Sequence, residues 1–156
     1  MISNNINKEE SLKVIIVDDE PLSVQALSEM IREFCPGTEI LATSTNPKTA
    51  IEIINQSEFD LLFLDINMPL LDGFDWLHFF ASRTFDVIFV TASENHAIQA
   101  FKADASGYLL KPINIVELVD AVAKVRKRRM NTKDIVISGQ FSASSTKKKI
   151  ALPNGR

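Results

Sequence analysis

The chain has one cysteine and no apolar segment long enough to cross a bilayer. Because Cys35 has no second cysteine to pair with, an internal disulfide is excluded, and a lone thiol is typical of a reducing compartment. Every hydrophobic stretch is interrupted before about 18 residues, which argues against a transmembrane helix. Residues 1–11 are polar and lack the apolar core of a secretion signal. We therefore expect a cytoplasmic protein with no membrane partner.

Two further absences narrow the possible functions. The formal net charge is -3, so the chain as a whole lacks the positive field of a nucleic-acid-binding protein. No glycine-rich phosphate-binding loop follows the first apolar run, and a bound nucleotide or flavin is therefore poorly supported. With 46% hydrophobic and 24% charged residues, the chain still has enough apolar material for an ordinary globular core.

Short apolar runs alternate with amphipathic segments along the chain. The runs have the length of strands and several are nearly continuous, which indicates burial on both faces. They are Leu12–Val17, 39–43, Leu61–Leu64, 87–90 and 108–110. Between them apolar residues repeat at helical spacing, with Ser93 a predicted cap of the fourth helix and Asn114 of the last. The pattern predicts a doubly wound α/β domain with a five-stranded parallel sheet over residues 12–130.

The two ends of the chain differ from this pattern. We expect residues 1–11 to form a flexible tail. Residues 131–156 contain one β-like run at 135–138, a serine- and threonine-rich stretch and a short basic run, and are predicted to be a linker. The basic residues 126–129 end the predicted last helix, where cations are stabilising and usually solvated, so we expect no DNA contact there.

Polar side chains follow four of the predicted strands. In open α/β sheets, ligands bind in the crevice at the carboxyl ends of the strands. The residues at those ends are Asp18, Asp19 and Glu20 after the first strand, Asp65 after the third, Thr91 after the fourth and Lys111 after the fifth. The acids that precede Pro21 could simply cap a helix, but Asp65 and Lys111 at the same edge favour a site.

The chemistry of this set is that of phosphoryl transfer assisted by a metal ion. Crowded carboxylates repel one another unless a cation neutralises them, and an oxygen-rich cluster suits Mg²⁺. A carboxylate can also be the nucleophile that forms an aspartyl phosphate. The transferred phosphoryl group carries negative charge on its oxygens, which a metal, a lysine and a hydroxyl can stabilise.

Four motifs, at 17–21, 64–73, 90–92 and 107–113, together resemble the receiver domains of two-component response regulators. They read Val-Asp-Asp-Glu-Pro, Leu-Asp-Ile-Asn-Met-Pro-Leu-Leu-Asp-Gly, Val-Thr-Ala and Gly-Tyr-Leu-Leu-Lys-Pro-Ile, in the family's order and at near-family spacing. The resemblance implies a flavodoxin-like (CheY-like) fold. It also implies a phosphoacceptor signalling domain that regulates transcription and is not an enzyme.

The resemblance further implies a role for each acid of the predicted site. Asp65 is the expected phosphoacceptor, and a sensor histidine kinase is the expected donor. Asp18 and Asp19 would hold Mg²⁺ directly or through water, together with Asp65 and the backbone carbonyl of Asn67.

Lys111 would pair with the phosphoryl oxygens, and its peptide bond to Pro112 would be cis. Thr91 would move to hydrogen-bond the phosphoryl group, and Tyr108 would rotate inward with it, so that these two are the expected switch residues. The switch would act on a homodimer formed through residues 93–111 and the last helix.

A narrower resemblance concerns the output of the signal. Residues 101–112 resemble receivers of the LytTR type, which usually carry a DNA-binding β domain after a linker. The closing residues 149–155, Lys-Ile-Ala-Leu-Pro-Asn-Gly, look like the beginning of such a domain. We therefore expect a truncated regulator that contacts DNA only through the missing output domain.

Two alternatives belong to other classes of protein. A phosphatase of the haloacid-dehalogenase kind also uses an aspartate nucleophile and Mg²⁺, but it needs a second aspartate two residues later, where this chain has Asn67. A degenerate receiver would serve only as an interaction module. Its usual mark is a lost acid or lysine, and none is lost here.

Overall fold

The computed structural model describes residues 11–69 and 71–138, where strands and helices alternate. The strands are β1 (Leu12–Val17), β2 (Thr38–Ser44), β3 (Leu61–Leu64), β4 (Asn67–Met68), β5 (Leu71–Asp72), β6 (Asp86–Thr91) and β7 (Gly107–Leu110). The helices are α1 (Pro21–Phe34), α2 (Pro47–Asn55), α3 (Gly73–Leu77), α4 (Ala97–Lys102) and α5 (Ile115–Ser138), with a 3₁₀ turn at His78–Phe80. All five predicted strands are therefore present.

The longer strands form one parallel sheet in the order β2-β1-β3-β6-β7. The chain adds β2 on one side of β1 and then returns to add β3 on the other side, so the direction of strand addition reverses there. This order confirms the predicted doubly wound, five-stranded fold. It also creates a topological switch point, where such sheets bind ligands, at the carboxyl ends of β1 and β3. The antiparallel pair of β4 and β5 was not predicted.

The central strands are buried on both faces of the sheet. Every residue of β3 and β6 is buried, as their nearly continuous apolar sequences require. On one side of the sheet, Trp76 of α3 is fully buried, and its Nε1 donates a hydrogen bond of 2.9 Å to the backbone carbonyl of Pro47. That bond joins α3 to the first residue of α2.

Side-chain caps begin three of the helices. The Asn46 side chain accepts hydrogen bonds from the first turn of α2, the shortest being 2.9 Å. Asp72 caps α3, accepting from the backbone N–H of Phe74 at 2.7 Å. Asn114 accepts from the first turn of α5 at 3.1 Å, which confirms the predicted cap. Caps of this kind satisfy backbone N–H groups that have no partner within the helix.

The structure differs from the prediction at two places in the helices. Ser93 is not the cap of the fourth helix, because α4 begins at Ala97 and has His96 at its N-cap position. The Ser93 Oγ instead accepts a hydrogen bond from the backbone N–H of Asn95 at 3.3 Å. The predicted β-like run at 135–138 is also wrong, since these residues continue α5. Extending an existing helix gains a backbone hydrogen bond for each residue added, whereas a lone strand has no neighbour to pair with.

The chain divides into two compact units, residues 1–122 and 123–156, and the site described below lies in the first. The predicted limits of the domain at 12–130 and of the linker at 131–156 stay predictions. Residues 1–10 and 139–156, including most of the predicted tail and the residues that resemble an output domain, lie outside the described part of the chain. Among the helices that are described, none is long and apolar enough to span a membrane.

Candidate functional site

The register of the sheet brings Asp18 and Asp65 to one place. Val17 at the end of β1 lies opposite Leu64 at the end of β3, so the residues that follow them are neighbours. The backbone N–H of Asp65 donates to the carbonyl of Val17 at 3.1 Å and extends this pairing by one residue. Both carboxylates are buried, with exposed fractions of 5% for Asp18 and 3% for Asp65.

Two more acids complete a cluster at this edge. One carboxylate oxygen from each of Asp18, Asp19, Glu20 and Asp65 lies within 4.8 Å of the others. The Asp19 Oδ1 is buried and has no hydrogen-bond partner among the described residues. Oxygen donors at this spacing, one of them buried and unpartnered, fit a hard divalent cation such as Mg²⁺. The predicted metal-binding acids are thus brought together.

Lys111 reaches this cluster from the far side of the sheet. It follows β7, which β3 and β6 separate from β1, and its peptide bond to Pro112 is cis. Its Nζ lies 2.9 Å from Asp18 Oδ2, 3.2 Å from Asp65 Oδ2 and 3.4 Å from Glu20 Oε1. A single ammonium group therefore contacts three carboxylates.

The charges of the cluster alter the pKa values of its groups. Burial raises the pKa of the Asp18 carboxyl, and the neighbouring charge of Asp65 acts in the same direction. Burial also raises the pKa of Asp19, reinforced by the charge of Asp18. Burial acts to lower the pKa of Lys111, but its hydrogen bonds to Asp18 and Asp65 and their charges outweigh this and raise it. Lys111 stays cationic, and the cluster still has more negative than positive charge, which favours binding of a cation.

Thr91 and Asp65 are connected through Asn67. Thr91 ends β6 and is fully buried, and its Oγ1 accepts hydrogen bonds from Asn67 Nδ2 at 3.4 Å and from the Ser93 backbone N–H at 3.3 Å. The backbone N–H of Asn67 donates to Asp65 Oδ1 at 3.2 Å. The sequence indicates only the backbone carbonyl of Asn67 as functional. Its side-chain contact depends on how the loop after β3 folds, and no sequence signal predicts it.

Ser93 connects Thr91 to Tyr108. The half-buried Tyr108 hydroxyl donates a hydrogen bond to the backbone carbonyl of Ser93, and burial raises the pKa of the phenol. Because Ser93 bonds to Thr91 through its N–H and to Tyr108 through its carbonyl, the two predicted switch residues share one backbone segment. That segment lies directly before α4.

Gly73 is a positioning residue that the sequence does not reveal, since Asp72-Gly73 reads simply as a turn. The Gly73 backbone N–H donates to the Ile66 carbonyl at 2.8 Å. A Cβ at Gly73 would lie 2.6 Å from the backbone oxygen of Asp65 and 2.8 Å from the Ile66 Cα, closer than side chains tolerate. Only glycine lets α3 pack this tightly against the backbone of Asp65.

Comparison with known protein families identifies the class to which this fold and site belong. Residues 14–123 match the family model of the response regulator receiver domain. The chain therefore belongs to this family of two-component signalling domains, as its motifs predict. Neither the phosphatase nor the interaction-module alternative is favoured by this match.

The curated relatives include several transcription regulators. The transcriptional regulatory protein BtsR of Escherichia coli is 36% identical over 120 residues, covering 76% of this chain and 49% of the relative. The positive alginate biosynthesis regulatory protein of Pseudomonas aeruginosa is 33% identical over 118 residues, covering 74% of this chain and 48% of the relative. The chain thus spans about half the length of these relatives.

Solved structures agree with the family assignment. The response regulatory domain of mrkE from Klebsiella pneumoniae is 31% identical with a TM-score of 0.68, covering 75% of this chain and 97% of that one. The REC domain of AraT from Geobacillus stearothermophilus is 28% identical with a TM-score of 0.69, covering 78% and 98%. Both are receiver domains, which supports the predicted flavodoxin-like architecture.

Replacing Gly73 with alanine should destabilise the protein. The added methyl group forces the backbone at Asp65 and Ile66 to move, so we expect Gly73→Ala to lower the free energy of unfolding by roughly 2 kcal/mol. Urea denaturation measures the change. Gly107→Ala is the matched control, because its Cβ would meet mainly the Ile88 side chain, at 3.2 Å, which can yield. Equal losses in the two variants would contradict the role given to Gly73.

Removing the charge of Asp19 should stabilise the metal-free protein at neutral pH. Because burial raises the pKa of Asp19, the folded state binds its proton more tightly than the unfolded state does. The stability gained from this proton is present at acid pH and is lost as the pH rises through the raised pKa. Asp19→Asn avoids that loss. The difference in the free energy of unfolding between the variant and the wild type should therefore become smaller as the pH falls toward 3.8, the ordinary pKa of an aspartate.

Urea denaturation in the presence of a chelator, across this pH range, tests the effect. Asp75→Asn, the same change at an exposed position of α3, should leave the free energy of unfolding almost unchanged. An Asp19→Asn variant less stable than the wild type at neutral pH would show that burial and the charge of Asp18 do not make the ionised Asp19 unfavourable in the folded state.

Proposed function

We propose that the chain accepts a phosphoryl group on Asp65 and uses it to switch the conformation around α4 and β7. The observation that supports this most directly is a buried carboxylate, at the switch point of the sheet, held 3.2 Å from a lysine ammonium and surrounded by three further acids. In a chain of the receiver family, that carboxylate is the natural nucleophile.

In the proposed transfer, an Oδ of Asp65 attacks the phosphorus of the donor. The new bond joins Asp65 to phosphorus, and the bond from phosphorus to the donor breaks with its electron pair leaving on the donor. From a sensor histidine kinase the leaving group is an imidazole nitrogen. The transferred phosphoryl group carries negative charge spread over its oxygens, so stabilisation of that charge is the main catalytic requirement.

Asp18, Asp19, Asp65 and the backbone carbonyl of Asn67 would hold Mg²⁺ at this site. The buried, unpartnered Asp19 Oδ1 and the close spacing of the acids support this assignment. When bound, the ion neutralises part of the charge on the phosphoryl oxygens. Asp18 lies against Lys111 and is only partly free for the metal, consistent with contact through water.

Lys111 and Thr91 are the groups proposed to receive the phosphoryl group. Lys111 already contacts Asp65, so it forms a charge-assisted hydrogen bond to a phosphoryl oxygen with little movement. Thr91 must turn its hydroxyl toward the phosphoryl group and release the bonds from Asn67 and Ser93. Release of Ser93 alters the segment that also holds the Tyr108 hydroxyl, and so carries the signal to α4.

A homodimer formed through residues 93–111 and the beginning of α5 is the proposed readout. Three large apolar side chains on these elements are mostly exposed: Phe101 by 84%, Ile98 by 74% and Val116 by 76%. Exposed apolar side chains of this size favour contact with another protein surface. A second copy of the chain has the same apolar face, so two copies can cover these side chains in a symmetric dimer.

We further propose that the receiver controls a DNA-binding output domain of the LytTR type. The transcription regulators among its relatives support an output that regulates transcription, and the resemblance of residues 101–112 supports the LytTR type. Such a regulator would act in the cytoplasm, where a sensor histidine kinase would supply the phosphoryl group.

Phosphorylation of Asp65 is tested by intact mass after incubation with acetyl phosphate and Mg²⁺. We expect the wild type to gain one phosphoryl group, with acetate as the leaving group, and the gain to disappear in Asp65→Asn or with a chelator. Asp75→Asn, an exposed aspartate of the neighbouring helix, should be phosphorylated like the wild type. Phosphate on Asp65→Asn that still requires Mg²⁺ would assign the nucleophile to another residue.

Dimerisation through the proposed face is tested by light scattering of the phosphorylated protein. Phe101→Glu places a charge in the apolar face, so we expect it to stay monomeric at concentrations where the phosphorylated wild type dimerises. Phe79→Glu is the matched control, since Phe79 is also exposed, by 66%, but lies outside this face. A Phe101→Glu variant that dimerises like the wild type would place the interface elsewhere.

A further inference from the structure

Glu20 differs from the other acids of the cluster. It lies directly before α1, its side chain is 63% exposed, and its Oε1 is 3.4 Å from Lys111 Nζ. The Asp18 and Asp65 side chains contact the same ammonium at 2.9 and 3.2 Å but are only 6% and 4% exposed. The backbone N–H of Glu20 donates to Asp18 Oδ1 at 2.9 Å, which fixes the Glu20 backbone beside the buried acids. Glu20 thus places a solvated negative charge at the entrance of the site.

We propose that Glu20 is a specificity-determining residue that slows phosphorylation by small, free, anionic phosphodonors. The inference rests on the proposed function of Asp65. An incoming phosphoryl group must approach Lys111 from solvent, because Asp18 and Asp65 occupy its buried side. The Glu20 carboxylate already contacts Lys111 on the exposed side, so it competes with the phosphoryl oxygens for the ammonium and repels the donor.

The expected size of the effect follows from the exposure of Glu20. An ion pair between exposed groups is weak, so the contact itself opens easily. The charge nevertheless acts over a distance that depends on salt, about 30 Å at 0.01 M ionic strength and about 3 Å at 1 M. Removing it should therefore accelerate reaction with an anionic donor by roughly three- to tenfold at low salt, and hardly at all at high salt.

A protein donor is less sensitive to this charge. A phosphohistidine is held by the surface that surrounds it, and contacts over a protein interface can offset one repulsive charge at the rim. A small donor has no such surface. Glu20 therefore favours a macromolecular phosphodonor over free metabolites of the same phosphoryl chemistry.

The experiment compares second-order rate constants for phosphorylation by acetyl phosphate, at the same low Mg²⁺ concentration, in the wild type, Glu20→Gln and Glu33→Gln. Glu33 is an exposed glutamate near the other end of α1, so its substitution removes the same charge far from the site. We expect Glu20→Gln to be faster by roughly three- to tenfold at about 0.01 M ionic strength and equal to wild type near 1 M, with Glu33→Gln unchanged. Phosphoramidate, a donor with less negative charge, should show a smaller difference.

Calorimetric titration with Mg²⁺ separates this role from metal binding. Unchanged Mg²⁺ affinity in Glu20→Gln, together with the faster, salt-dependent reaction, supports the proposal. Equal rates in wild type and Glu20→Gln at low ionic strength would overturn it. A slower variant that binds Mg²⁺ more weakly would also overturn it and would make Glu20 a metal ligand. If the wild type takes up no phosphoryl group at all, the proposed function of Asp65 is wrong, and the role of Glu20 falls with it.

Discussion

The repulsion between carboxylates at the ends of two adjacent parallel strands is the constraint on which the rest of the site depends. The register of β1 and β3 places Asp18 and Asp65 next to each other. Both are buried, which makes two neighbouring negative charges less favourable. Lys111, which follows β7 and is separated from β1 by two strands, contacts both carboxylates with its ammonium group. Because one lysine cannot neutralise every acid, the site keeps an excess of negative charge, which favours binding of a cation.

The same edge of the sheet also contains a continuous chain of hydrogen bonds that begins at Asp65. It passes from Asp65 to Asn67, then to Thr91, Ser93 and finally Tyr108, each step being a hydrogen bond. Two of its members lie in loops, and the loop that contains Ser93 leads into α4. Under the proposed function, phosphorylation of Asp65 would change the hydrogen bonds of this connection and so reach the segment before α4, while the buried sheet stays as it is.

Features that depend on residues close together in the chain can be predicted from the sequence, whereas features that depend on the geometry of loops cannot. The strands follow from local apolar runs, and the convergence of Asp18, Asp65 and Lys111 follows from a general property of parallel sheets. The close packing of Gly73 on Asp65 and the amide contact of Asn67 depend on loop geometry, which no periodicity encodes. The β-like run at 135–138 is wrong for the opposite reason. Its β-branched residues give a local signal, but a helix that begins at Ile115 continues through them.

The position of Trp76 gives the molecule an internal optical probe. It is the only tryptophan of the chain, it is fully buried, and only two residues separate it from the glycine that packs on the Asp65 backbone. Its indole is also hydrogen-bonded to the start of α2, so its environment reports on two helices at once. Indole emission is sensitive to packing and polarity, so the fluorescence of unlabelled protein would report in real time any change in packing around Asp65.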